Sequence, residues 1–326
     1  MAYYLTDGNA TFMKYESGTY ATPTGTYQWL GMVQSHDPSE DMGKMPLRYV
    51  GNTTRNVGRW ENGPITINGN FSYYPQNWKM LRFVLGSAVD AGSPSPYTHD
   101  IYEANGGFSD PVIGTNFPSF TVGDGWETVT GSNFIRVVKG AEVDRFTLSA
   151  STGEPLKVDV DYVAKEAQFE SGTMPSGTAD TSSPYLWQDI SVDLPSGTGF
   201  AYMKTFSMSV SNNLLGPHYI TGSRTIGEPI PQNRDYELSA TMDATDKWAK
   251  DLYDKYLIGG SAFNMVVDVT KASGSDAMVW TLSGCYLTEM SAPTEAEGIN
   301  EWTITIKPTE SNAKVWDSTE LYTPNA

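Results

Sequence analysis

Residues 63–86, GPITINGNFSYYPQNWKMLRFVLG, change hydrophobic period partway along. Ile65, Ile67 and Phe71 share one face of an alternating strand pattern. Trp78, Leu81, Arg82 and Leu85 then recur three or four apart, as in a short helix. Pro75 is placed for a first helical turn. Gly86 stands where a helix ends on a left-handed residue. The same switch returns in RDYELSATMDATDKWAKDLYDKYLIGG. There Tyr236, Leu238 and Ala240 alternate, and Trp248, Leu252 and Tyr256 take the helical spacing. Asp243 or Thr245 is the expected cap, and Gly259 the expected left-handed end.

The segments beyond the two helices also match. VVKGAEVDRFTLSAS aligns without a gap on TLSGCYLTEMSAP, so that Gly140 meets Gly284, Val143 meets Leu287 and Phe146 meets Met290. After turns near Gly153 and Gly298 come two alternating strands. In the first, Leu156, Val158, Val160 and Tyr162 face one way; in the second, Trp302, Ile304 and Ile306 do. The spacing therefore predicts a duplicated, mainly β chain of two tandem antiparallel domains, each a β-sandwich or rolled sheet with one short flanking helix. The first copy carries a Gly-, Pro-, Ser- and Tyr-rich stretch at about 90–132, read as a long external loop.

The expected organisation is an irregular arm over 1–24, a first domain over 25–169, a linker over 170–185, a second domain over 186–308 and a polar tail over 309–326. Tyr27–Ser35 and Phe200–Ser211 read as equivalent strands. Each precedes a long polar excursion, one holding YVGNTTRN with Tyr49 and Arg55, the other YITGSRTIG with Tyr219 and Arg224. Such arms would cost ordering entropy in an isolated domain, so a neighbouring subunit is the expected burial partner.

At 326 residues the chain accommodates two domains. Its single Cys285 excludes an internal disulfide and, in an apolar strand pattern, is expected to be a buried thiol. The start MAYYLTDGNATF carries no basic stretch followed by an apolar core, so no export signal is expected. No apolar run approaches the roughly 20 residues that span a bilayer, so no membrane partner is expected. The formal charge of −17 disfavours tight nucleic-acid binding, which needs Lys and Arg against phosphate.

No catalytic constellation is present. His36, His99 and His218 lack ligand spacing and read as ordinary surface residues. There is no HExxH, CxxC pair, phosphate-binding loop or nucleophile elbow. Neither enzyme activity, a metal nor a cofactor is expected. Asp159 and Asp161 form the one neat carboxylate pair, two apart on a strand and opposite its apolar face. A solvated strand face is the ordinary explanation; a wall facing a channel is the other.

Three segments, WLGMVQSHDPSED with LRYVGNTTRN, then GPITINGNFSYYPQNWKMLRFVLG, then VVKGAEVDRFTLSASTGEPLKVDVDYVAKE, resemble the tail tube proteins of long, non-contractile-tailed phages and related viruses. The resemblance covers about Tyr27 to Lys307. It implies rings of six tube domains, hence three two-domain chains, stacked into a tube through which the genome passes. It also implies a virion protein made in the host cytoplasm, with itself, tail terminator, tape measure and distal tail proteins as partners, and DNA passing without tight binding. Asp159 and Asp161 then become lumen-facing candidates, and Tyr49, Arg55, Tyr219 and Arg224 inter-ring arm candidates. Two other readings stay open: a distal tail or baseplate hub protein of the same fold, and a glycan-binding β-sandwich adhesin.

Overall fold

The computed structural model describes residues 10–16, 20–50, 56–91, 96–104, 117–127, 133–170, 177, 179–195, 197, 199, 202–220, 222–243, 250–271, 276–293 and 300–317. The chain is mainly β. The strands of the first half are β1 (Ala10–Glu16), β2 (Pro23–Gln28), β3 (Gly31–Asp41), β4 (Met45–Leu47), β5 (Arg59–Glu61) and β6 (Thr66–Pro75). Helix α1 (Met80–Leu85) leads to β7 (Gly86–Ala91), β8 (Tyr97–Glu103), β9 (Phe120–Glu127), β10 (Asn133–Ser151), β11 (Lys157–Ala164) and β12 (Glu166–Glu170). The second half holds β13 (Ile190–Asp193), β14 (Met203–Ser211), β15 (Asp235–Asp243), a π-helix (Leu252–Ile258), β16 (Phe263–Thr270), β17 (Ala277–Ser291), β18 (Glu301–Lys307) and β19 (Glu310–Asp317).

One antiparallel sheet runs through both halves in the order β3-β6-β11-β10-β14-β15-β18-β17. Its core face follows from strict alternation: Phe71, Tyr73, Val158, Val160, Phe146, Leu148, Met208, Leu238, Ile304 and Ile306 are buried. Each such side chain removed from water contributes about 1.5–3 kcal/mol.

Two smaller sheets cover that face. The N-terminal part of β10 leaves the main sheet to pair with β9 and β12, and β1 and β2 extend this second layer. The N-terminal part of β17 likewise pairs with β16 and β19, and β13, β8 and β7 complete the third. Phe120 of β9 stands edge-on to Phe71 of β6 at 6.3 Å, and Trp280 of β17 lies 6.0 Å from Phe146 of β10. These contacts fuse the layers into a continuous core.

Both long strands switch sheets at a glycine. Gly140 has φ +67° and Gly284 φ +58°, a region where a side chain is strained. Next to each, the same hydrogen bond closes the crossover: Lys165 N donates to Lys139 O at 3.1 Å, and Thr309 N to Ser283 O at 3.0 Å. A register irregularity follows at Val143/Arg145 and, in step, at Leu287/Glu289. Another recurs at Val33/Ser35 and Met203/Thr205.

Several sequence expectations need correction. Gly86 is left-handed at φ 108°, but Gly259 stays right-handed at φ −73° and Gly260 takes the positive φ of 60°. The second helix is wound as a π-helix, with Gly259 N reaching Asp254 O, and the wider turn delays its end by one residue. Asp243 ends a strand and binds Lys204, while Thr245 and Trp248 lie outside the described residues. Pro75 closes β6, and α1 begins only at Met80.

The stretch 90–132, expected to be a loop, contains β8 and β9 among its described residues. The arm over 1–24 contains β1, and the tail over 309–326 contains β19 between β17 and β8. Strand 27–35 is two strands, broken at Trp29 and Leu30 before Gly31. His36 and His99 are interior residues; only His218 is exposed.

Candidate functional site

The face of the main sheet opposite the core is a field of short polar side chains. Asn70 and Ser72 on β6 stand opposite Asp161 and Asp159 on β11, which stand opposite Arg145 and Thr147 on β10. Across the junction with β14 come Ser207 and Ser209, then Ser239 and Glu237 on β15, and Thr305 on β18. Alternation alone puts these residues here, because their neighbours fill the core.

Charge on this face is partly paired. Lys157 Nζ lies 2.8 Å from Asp159, Lys307 Nζ 3.8 Å from Glu237, and Lys204 Nζ 2.7 Å from Asp243. Asp159 is about half exposed and Asp161 exposed. Partial burial raises the Asp161 carboxyl above its ordinary value, against the pull of Arg145. Both expected carboxylates thus share one solvent-facing surface with hydroxyls and amides.

The excursions project from the ends of β3 and β14. Tyr49 and Tyr219 are 62% and 56% exposed, and each precedes a β-branched residue, Val50 or Ile220, that is fully exposed. Arg224 points inward: Nε donates to Gly63 O at 2.8 Å and Nη2 to Met42 O at 3.1 Å. Ile65 N in turn donates to Arg224 O at 2.7 Å, so the second excursion is stitched to the root of the first. Arg55 lies outside the described residues.

Two buried polar clusters escaped the sequence reading. His36 Nδ1 lies 2.7 Å from Asp124, and its Nε2 lies 2.6 Å from the Tyr162 hydroxyl. Arg136 adds a second hold on Asp124 at 2.9 Å. Burial opposes the charge on Asp124, but the hydrogen bonds from His36 and Arg136 outweigh it and hold the carboxyl below its usual range. The order Tyr–His–Asp looks like a relay, yet Tyr162 is 1% exposed and packed against Phe71 and Phe120, where no substrate reaches it. His99 is fully buried between Asp90 at 2.6 Å and Asp317 at 3.3 Å. Burial pulls its pKa down, and the two aspartates overcome this and lift it to about 9.

Among the described residues no group of three His, Cys, Asp or Glu side chains could hold a metal, and no helix is long and apolar enough to cross a membrane. Cys285 is fully buried, as expected, and burial pushes its thiol up to about 12.

A search of curated proteins found no match. The family model described as phage tail tube protein matches residues 14–310, a span that takes in both copies of the matched glycines and bulges. The chain belongs to the phage tail tube protein family and is a structural component of a virion tail.

Proposed function

We propose that this chain polymerises as stacked rings, three two-domain copies to a ring, into the tube through which the genome passes. The observation that carries this reading is the main sheet: eight strands with one continuous polar face and, among the described residues, an edge at each end without a partner. Sheet edges left open invite further strands, and a ring of chains closes them. Matched glycines, crossover hydrogen bonds and bulges support descent of the two halves from one duplicated unit, with domains near 25–169 and 186–308.

In the assembled tube the polar face lines the lumen, with Asp159 and Asp161 among its carboxylates. Repulsion of phosphate and the shortness of the serine and threonine side chains let DNA slide. Tyr49 and Tyr219, with the apolar residue after each, reach the adjacent ring. Head-to-tail stacking repeats without closure and so gives a filament. A tail terminator, a tape measure and a distal tail protein are the expected neighbours at the ends and inside.

Negative-stain electron microscopy of the concentrated protein, beside virion tails, tests this. Hollow filaments of stacked rings are expected. Single closed rings that never stack would make it a hub of the same fold instead.

A further inference from the structure

We infer that the two open edges of the main sheet pair with each other between neighbouring copies in one register, with Ser291 of one chain opposite Ser39 of the next. This rests on the ring reading above and adds the atoms of its lateral joint. The chain already contains one such joint, between β10 and β14, and the open edges repeat its two sides.

The correspondence is fixed residue by residue. Gly140 and Gly284 mark the same bend, and the bulges beyond them fall at the same distance. Phe146 faces Val160 as Met290 faces Ile304, so β17 at 286–291 is the counterpart of β10 at 142–147. On the other side, Val160 faces Phe71 and Phe71 faces His36; equivalently, Ile304 faces Ala240 and Ala240 faces Phe206. The shared bulges at Val33/Ser35 and Met203/Thr205 confirm that alignment, so β3 is the counterpart of β14.

Within the chain Thr147 stands opposite Ser209, Phe146 opposite Val210 and Arg145 opposite Ser211. Transferred to the open edges, the register sets Ser291 opposite Ser39, Met290 opposite Glu40 and Glu289 opposite Asp41. Exposure agrees with an unfilled site: Ser209 is buried in the joined strand while Ser39 is exposed, and Thr147 is half-buried while Ser291 is exposed. The occupant is a second copy because each edge matches a strand that this chain itself supplies.

Two differences matter. Phe146 faces the buried Val210 at the internal joint, whereas Met290 would face Glu40 between chains. Arg145 faces a serine at the internal joint, whereas Glu289 would face Asp41 between chains, and like charges directly opposite weaken a strand pair. The joint between chains is therefore weaker than the internal one and gains from added salt, which screens exposed charges.

The test is a Ser39→Cys/Ser291→Cys double variant, assembled and then oxidised with copper–phenanthroline. Directly opposed residues of an antiparallel pair approach closely enough for a disulfide. Covalently joined chains are expected, at least fivefold more than with Asp37→Cys/Ser291→Cys or Asp41→Cys/Ser291→Cys. Tubes by microscopy without this cross-link, or with more of it at position 37 or 41, would overturn the register and leave the tube reading standing. A wild-type protein that forms neither rings nor tubes would overturn both. Should the variants fail to assemble, amide hydrogen exchange on wild-type tubes decides: 289–291 and 35–41 should become at least tenfold slower than in the unassembled chain. Unchanged exchange there in intact tubes would sink the joint.

Discussion

Gly140 and Gly284 each let a strand leave one sheet and enter another, at φ values that a Cβ resists. At Gly140 an added Cβ would also sit 2.9 Å from the Tyr20 ring, and at Gly284 it would collide with the Thr309 side chain. Gly140→Ala and Gly284→Ala should each lower stability by about 1–3 kcal/mol, measured by thermal unfolding. Ala substituted at Gly153, which is also left-handed at φ 90° but opens into free space, should cost less than at either crossover. The pairing of Gly140 with Gly284 was legible because glycine marks itself. The interior histidines were not. His36 meets Asp124 across 88 residues and His99 meets Asp317 across 218, and no local pattern announces a polar side chain whose partners lie that far away.

Alternating strands such as β6, β11, β15 and β18 could be read from sequence, since one face is core and the other polar. Strand β1 could not. Phe12, Met13, Tyr15 and Glu16 are all buried, and the carboxylate of Glu16 survives there by accepting from Gly140 N, Ala21 N and the hydroxyls of Ser119 and Thr121. β8 was hidden similarly, because its inward positions are His99 and Ile101, and only the flanking aspartates make that histidine a core residue.

The clamp of His99 on β7 and β19 has a pH signature. Its folded pKa of about 9 lies above the ordinary 6.5, so its contribution is complete below pH 6.5 and is lost as pH rises through 9. Denaturant unfolding at pH 6.5 and pH 9.5 should differ by on the order of 3 kcal/mol from this group. The His99→Asn variant should lose that part of the slope. A pH dependence unchanged by the substitution would refute the clamp.

For the whole chain, the sequence carried the antiparallel class, the family and the polar carboxylate face. It missed the continuity of one sheet through both halves, because the β10–β14 joint depends on register between strands that nothing local specifies. The lumen assignment has its own test. An Asp159→Lys/Asp161→Lys variant should fold with unfolding free energy within about 0.5–1 kcal/mol of the parent, as exposed sites do. Phages assembled from it should deliver DNA more slowly. Undiminished delivery would place that face elsewhere.

Cys285 has a practical consequence. Its thiol is sealed behind the core and needs strongly alkaline solution to ionise, so maleimides and oxidants will not find it while the fold holds. A single new surface cysteine would be the only reactive handle on each copy, and a dye, spin label or heavy atom could be seated at regular intervals along an entire filament without first removing the native thiol.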